Sequence, residues 1–324
     1  MLILHIGTHK TGTTSLQATL ARAGDALLAH GIRYVEAGRE GRLSHNPLAW
    51  AIRGRRNTDI SLWQDVREEL ADSRATHVLS SEGFWFEDPA VIRAQLPDAT
   101  EARVVVYLRR QDQYLQSLYK QTVSSGRKVD FDTWMGEMGY RGDYLTVLRK
   151  WAAAFGRDAI VVRPYERNGR TIDVIEDFLD VLGVDPHVLE GRKVRASNPS
   201  PRREVLHFLR AFNQLGLKVD HDKLFYSIIK RQKSYIRSAD LLSHAQCIAL
   251  MERYAADNAA VAEEFCRNSA GPLFPALAEK SKPEIWSLDD PEFFGLTVDV
   301  IRAIVNLLEG QEIVRKKRDN APPP

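Results

Sequence analysis

A short apolar run that breaks into two glycines five residues apart constrains this chain more than any other feature. Leu2 to Ile6 leads directly into Gly7-Thr8-His9-Lys10-Thr11-Gly12-Thr13-Thr14-Ser15. After the loop, Leu16, Leu20, Ala23 and Leu27 recur at helical spacing, and Gly31 closes the pattern. The segment reads as buried strand, glycine loop, helix. Backbone N–H groups in such a turn, with the positive end of the helix behind them, make a cradle for an anion.

The same alternation continues along the chain. Ile32–Val35, His77–Ser81, Val104–Leu108 and Ala159–Arg163 are further strand candidates. Helical patterns lie between them, such as Tyr144, Leu148, Trp151 and Phe155, then Ile172, Ile175, Phe178, Leu179 and Leu182 ahead of Gly183. Apolar strands alternating with amphipathic helices imply right-handed crossovers, hence a central, mainly parallel sheet with helices on both faces. The expected class is a three-layer α/β fold. Beyond about residue 195 only helical patterns remain, so the C-terminal part should be helical. It includes one long helix over Leu241–Cys266 with Leu242, Ala245, Ile248, Tyr254, Val261 and Phe265 facing inward. Residues 1–315 are expected to form a single domain, with 316–324 a frayed, proline-rich tail.

Composition narrows the function. Lys plus Arg number 45 against 43 Asp plus Glu among 324 residues, so net charge gives no reason to expect nucleic acid as a partner. Any anion recognition must be local. The two cysteines, Cys247 and Cys266, sit too far apart on one expected helix to form a disulfide, and no Cys/His cluster has metal-ligand spacing. No stretch of about 18 apolar residues suggests a membrane span, and no leader is evident. The expectation is a soluble, reduced, cytoplasmic protein.

Gly7 and Gly12 have the separation of the glycines in a nucleoside-triphosphate P-loop. In that loop a lysine and then Ser or Thr follow the second glycine, the lysine reaching the outer phosphates and the hydroxyl holding Mg²⁺. Here Thr13 and Thr14 follow it, and Lys10 stands two residues before it. On the loop's approach, a lysine reaches the bridging oxygen between a transferred group and a 5′-phosphate. None of the strands at 77–81, 104–108 and 159–163 ends in an Asp placed as a metal ligand. Transfer without a metal fits better. The competing reading is an ordinary strand-to-helix turn with a solvated lysine.

The run His5-Ile-Gly-Thr-His-Lys-Thr-Gly-Thr-Thr-Ser-Leu-Gln17 resembles the 5′-phosphosulfate loop of sulfotransferases that use 3′-phosphoadenosine 5′-phosphosulfate (PAPS), in the form common among bacterial members. The resemblance implies a P-loop-like fold and PAPS as co-substrate, with no metal. It implies that Lys10 stabilises the leaving phosphate, and it places Thr8, Lys10, Thr11, Gly12, Thr13 and Thr14 around the nucleotide. Val104 to Ser117 is similar to the same family's 3′-phosphate motif, with Arg109 at the strand end and Ser117 eight residues later on a helix. Ligands in open α/β sheets bind at that strand edge. Family members often carry Asn-Pro or Asp-Pro after the arginine. Arg110-Gln111 stands there instead, which leaves both Arg109 and Arg110 as candidates for the main contact. Val162–Arg167, the helix ending at Gly183, and Ser197–Ser200 also look like bacterial sulfotransferases. Arg195–Ser200 either closes over the nucleotide's 3′ side, faces the acceptor, or simply precedes a helix beginning near Pro201.

Transfer to an alcohol needs a base within hydrogen-bond reach of the nucleophile. Glu82 ends the strand pattern at 77–82, so it should project over the same edge as the loop, with burial raising its pKa. Some carbohydrate sulfotransferases use a glutamate, and Ser80-Ser81-Glu82 looks similar. His45, in Leu43-Ser-His-Asn-Pro47, is the rival, and Glu82 is favoured. A salt bridge or helix cap would equally explain Glu82, and a polar loop contact His45. His5 and His9 rank lower, His5 as a strand residue and His9 as packing against the cradle. Lys230, Arg231, Lys233 and Arg237, interleaved with Tyr226 and Tyr235, read equally as a solvated helix face or a contact for an acidic glycan. The acceptor is a hydroxyl or amine on an unidentified glycan or small molecule. Two other readings are a P-loop kinase, which would need ATP and Mg²⁺, and a nucleotide-binding protein without catalysis.

Overall fold

The structure is a computed structural model. It describes residues 1–194 except 40, 42, 56, 57, 73, 168 and 169, together with 203–216, 241–266, 271–277 and the single positions 220, 223, 301, 304 and 305. The expected contacts of Arg195–Ser200, the helix start at Pro201, the basic group around Lys230–Arg237 and the tail 316–324 lie outside the described residues.

Among the described residues five strands form the main sheet: β1 Leu2–His5, β2 Ile32–Tyr34, β3 Thr76–Ser80, β4 Ala102–Leu108 and β5 Ile160–Pro164. Their order is β2-β3-β1-β4-β5 and every pairing is parallel. The α/β class read from the sequence is therefore the fold observed. His5 of β1 pairs in register with Ser80 of β3 on one side and with Val105 of β4 on the other. Three neighbouring strands thus end at one edge of the sheet, and the glycine loop leaves from the middle one.

Side chains alternate across the sheet. Ile3, Val105 and Tyr107 pack with Leu16 and Leu20 of α1 (Thr13–Arg22) and with Phe178 and Leu179 of α9 (Val174–Leu182). Leu2, Leu4, Val104 and Val106 alternate to the other side and are equally buried. The helix α8 (Tyr144–Phe155) packs on β4 and β5. Its Tyr144, Leu148 and Trp151 are buried as the period requires. Asp173 caps α9 by accepting from the Ile175 and Glu176 N–H groups, which leaves Ile172 ahead of the helix rather than in it. Gly183 ends α9 in a left-handed turn. Tyr107 donates to Asp177, which also receives both ends of the Arg163 guanidinium, so β4, β5 and α9 share one polar clasp.

Two expected helices are broken. The first stops at Arg22 and resumes over Gly24–Leu28, although Leu16, Leu20, Ala23 and Leu27 all remain buried. The long C-terminal helix is two, His244–Arg253 and Ala255–Phe265, interrupted at Tyr254 with φ −102° and ψ 6°. Tyr254 is buried against the backbone of Gly142, where a Cβ would stand 2.8 Å from the ring. Two separate helices need not share one inward face. Ile248 is accordingly 39% exposed. Cys247 is buried and Cys266 half-buried, and no disulfide joins them.

The chain divides into two compact units. The first is Met1–Tyr114, Arg141–Ser197 and Ala249–Leu277, and it contains the whole sheet. The second is Leu115–Tyr140, Asn198–Ile248 and Ala278–Pro324. Within the second unit, Tyr119 meets Phe131 and Trp134 edge-on at 5.0 and 5.7 Å. Asn213 of α10 (Arg203–Gln214) donates there to the Val123 and Arg127 carbonyls.

Phe178 has no exposed surface and meets His5 edge-on at 5.5 Å under the sheet's loop edge. Phe178→Ala should cost about 3–5 kcal/mol, read as a lowered urea midpoint at unchanged m-value.

Candidate functional site

The loop after β1 is held from both sides. Ser81 N–H donates to the His5 carbonyl at 3.0 Å, and Ile6 N–H donates to the Val105 carbonyl at 3.0 Å. The loop then returns to β4, where Thr8 Oγ1 donates to the Tyr107 carbonyl at 2.9 Å. Thr11 Oγ1 donates to the Thr8 carbonyl at 2.7 Å and closes the turn. Thr8 and Thr11 are fully buried, so their hydroxyls hold the loop's shape. What they offer a ligand is backbone.

Three loop residues are left-handed: Gly7 at φ 55°, Lys10 at 69° and Gly12 at 79°. Gly7 is required sterically as well, since a Cβ there would stand 3.1 Å from Thr13 Cγ2 and 3.3 Å from Glu82 Cα. Among the described residues, Lys10 is the non-glycine residue of positive φ, a conformation that costs about 1–2 kcal/mol. Gly12 precedes α1 without a side chain to cap the helix, and no acidic residue stands in its first turn. Such a helix start offers uncapped N–H groups and positive potential. Thr14 stands exposed on that turn.

Around the loop, charges converge from two adjacent strands. Glu82 begins a short 3₁₀ helix, Glu82–Phe86, rather than extending β3. Its Oε2 accepts from Thr13 Oγ1 at 2.7 Å, and its Oε1 lies 3.2 Å from His9 Nδ1. Burial pushes the Glu82 carboxyl up, but the hydrogen bonds from His9 and Thr13 and the charge of His9 outweigh it. The net shift is downward, the reverse of the sequence expectation, because that expectation counted burial and not the donors. Lys10 is lowered, chiefly by burial and also by Arg109, while Glu82 acts against the shift.

Arg109 follows β4. Its Nη1 donates to the Lys10 carbonyl at 3.3 Å, its Nε to Gln113 at 2.8 Å, and its guanidinium lies 5.7 Å from the Tyr165 ring centre. Tyr144 holds the Arg109 carbonyl at 2.6 Å. Arg110 is engaged elsewhere: it is buried with both arms on Asp112, at 2.7 and 3.1 Å. Of the two candidate arginines, the one at the loop is Arg109. Gln111 exchanges hydrogen bonds with Asn258 at 2.7 and 3.1 Å and is wholly buried. Ser117 lies half-buried on α6 (Gln111–Ser124), in the part belonging to the second unit, whereas Arg109 belongs to the first.

His45 is not presented as a base. Its ring is fully buried; Nε2 meets the Val35 carbonyl at 2.9 Å and Nδ1 accepts from the Ser80 N–H at 3.0 Å. Both nitrogens are thereby occupied with backbone, and burial lowers the pKa to about 3. His5 is likewise buried, with Nδ1 2.7 Å from Ser80 Oγ and a pKa lowered by burial to about 4. His9, ranked low from the sequence, is placed at the loop edge. It touches Glu82 and stacks on Phe86 at 5.5 Å and 27°, and its position beside Lys10 was the available signal.

Among the described residues no group of three or more His, Cys, Asp or Glu could hold a metal ion, and no helix is long and apolar enough to cross a membrane.

Comparison with known proteins adds little to this geometry. No protein-family model matches the chain. A protein of Archaeoglobus fulgidus, described as uncharacterized, is 40% identical over 114 residues, covering 35% of this chain and 31% of that protein. The chain thus matches about a third of that relative's length. Among solved structures, a sulfotransferase from Alicyclobacillus acidocaldarius is similar at a TM-score of 0.40 and 16% identity, covering 72% of this chain and 96% of its own. The sulfotransferase domain of the Synechococcus PCC 7002 olefin synthase is similar at 0.36 and 15%, covering 79% and 94%.

Histidines 5 and 45 give the stability a pH dependence of definite sign. An unfolded histidine gains its proton near 6.5, the folded rings only near about 4 and about 3. Unfolding therefore takes up protons between these limits, and stability should fall as pH drops from about 6.5. Urea midpoints measured from pH 7 to 4 should decline accordingly. His45→Gln should flatten that slope while lowering the midpoint at pH 7, because the Val35 carbonyl and Ser80 N–H lose their partner.

Proposed function

We propose that this chain moves a sulfuryl group from PAPS to a hydroxyl or amine acceptor, by in-line displacement and without a metal. The observation that carries the reading is a pair of cations, Lys10 and Arg109, gathered from adjacent strands at a loop with a left-handed lysine and an uncapped helix start. Such a site suits a nucleotide with two phosphate groups. The N–H groups from Gly12 to Thr14 would hold the 5′-phosphate, and Lys10 would meet the charge that grows on the bridging oxygen as the S–O bond breaks. Arg109 is the proposed grip on the 3′-phosphate. Thr8 and Thr11 keep the cradle's shape, and Thr13 ties it to Glu82 on the acceptor side. The acceptor is a glycan or small molecule, and the site is read as a single catalytic centre in a protein working in the cytoplasm.

Calorimetry should show 3′-phosphoadenosine 5′-phosphate (PAP) binding more tightly than AMP, and neither needing Mg²⁺. Equal affinities, or a preference for ATP with Mg²⁺, would sink the reading in favour of a kinase or a plain nucleotide binder. Arg109→Ala should narrow the gap between PAP and AMP by about 1.5–3 kcal/mol while leaving AMP almost unchanged.

Lys10→Ala should cut single-turnover transfer from saturating labelled PAPS by about 10²–10³-fold, with affinity for PAP far less affected. Lys10→Arg should restore little, since a planar guanidinium does not replace a compact ammonium in a turn this tight.

A further inference from the structure

Glu82 is a weak proton acceptor as the structure presents it. One carboxylate oxygen is taken by the Thr13 hydroxyl and the other faces His9, and these donors keep it ionised. Each oxygen already faces one donor, and a carboxylate stabilised in its ionised form is the weaker base for it. His9 is placed the other way round. Its Nδ1 faces the carboxylate at 3.2 Å, so the neutral ring carries its hydrogen on Nδ1 and donates it to Glu82. The lone pair then belongs to Nε2, which has no hydrogen-bond partner among the described residues. The side chain remains 26% exposed, its face covered by Phe86 at 5.5 Å. A carboxylate holding one imidazole nitrogen while the other stays open is the arrangement that makes histidine an effective base.

Resting on the sulfuryl-transfer reading, we propose that His9 Nε2 takes the acceptor's proton and that Glu82 is its positioning residue. The acceptor oxygen forms a bond to sulfur as its O–H proton passes to His9 Nε2. The bond from sulfur to the 5′-phosphate oxygen breaks, and its electron pair stays on that oxygen, opposite Lys10. The products are a sulfate ester, PAP and an imidazolium whose charge Glu82 balances, and the proton then passes to water. Base and leaving-group cation are consecutive residues of one loop. The charged groups around His9 are Glu82, Lys10, Arg109 at the Lys10 carbonyl, and Arg141, whose guanidinium lies 4.6 Å from the Phe86 ring centre. His5, buried nearby, interacts with Glu82 and is neutral.

Two measurements test this assignment. Long-range ¹H–¹⁵N spectra of the neutral His9 ring should show the hydrogen on Nδ1, with that preference lost in Glu82→Gln. A ring protonated on Nε2 in the unmodified protein overturns the proposal. With labelled PAPS and the best acceptor from a panel of phenols, sugars and amines, His9→Ala should lose about 10²–10⁴-fold in turnover at unchanged PAP affinity. Added imidazole should restore part of it. Near-normal turnover in His9→Ala with collapse in Glu82→Gln would assign the proton to the carboxylate, and loss of PAP affinity in His9→Ala would make the ring structural. Both results overturn the proposal while leaving sulfuryl transfer standing; PAP binding no tighter than AMP in the unmodified protein removes the transfer reading itself.

Discussion

The hydroxyl of Thr8 on the Tyr107 carbonyl is a small interaction on which the geometry of the loop edge depends. It turns the chain leaving β1 back over β4, so that Lys10 arrives beside Arg109 rather than over open solvent. The parallel register makes this turn productive. With His5 level with Ser80 and Val105, the residues that follow three neighbouring strands meet at one edge. A one-residue slip in β3 would carry Glu82 away from Thr13 and, by the alternation of strands, turn its core residues outward.

The second dependence is electrostatic. Lys10, Glu82 and Arg109 are all withdrawn from water to some degree, and each alone would be costly there. Their arrangement removes most of that cost. The carboxylate is fixed by a hydroxyl and an imidazole, and its charge works against the lowering of Lys10. Arg109 divides its donors between Gln113 and a backbone carbonyl. A buried, preorganised set of charges of this kind suits a reaction in which negative charge moves, because the groups need not reorient as it does.

Much of the fold was legible in the sequence, because parallel strands covered on both faces must be almost wholly apolar and the helices over them must show one apolar side. Val104–Leu108 and the spacing of Tyr144, Leu148 and Trp151 are instances that the structure reproduces. The breaks at Ala23 and Tyr254 were not legible. A period continues across a kink when both segments still face a core, and Tyr254 at the second break packs on a glycine distant in the chain, Gly142. The loop was legible as a cradle because its glycines mark left-handed turns. The left-handed Lys10 was hidden, since nothing in a lysine announces a strained backbone.

What the sequence determined by itself was the class of fold, the position of the glycine loop at the first strand's end, and the short set of residues from which a site could be drawn. These follow from periodicity and from glycine's conformational freedom, both local properties. Only the tertiary structure decided among the candidates. It withdrew His45 into a backbone clamp and tied Arg110 to Asp112, leaving Arg109 at the loop. It also set His9 against Glu82 and reversed the expected shift of that carboxyl. Most of these turn on partners distant in the chain, as with His9 and Glu82, 73 positions apart, and a contact across such a gap has no period in the sequence by which to be read.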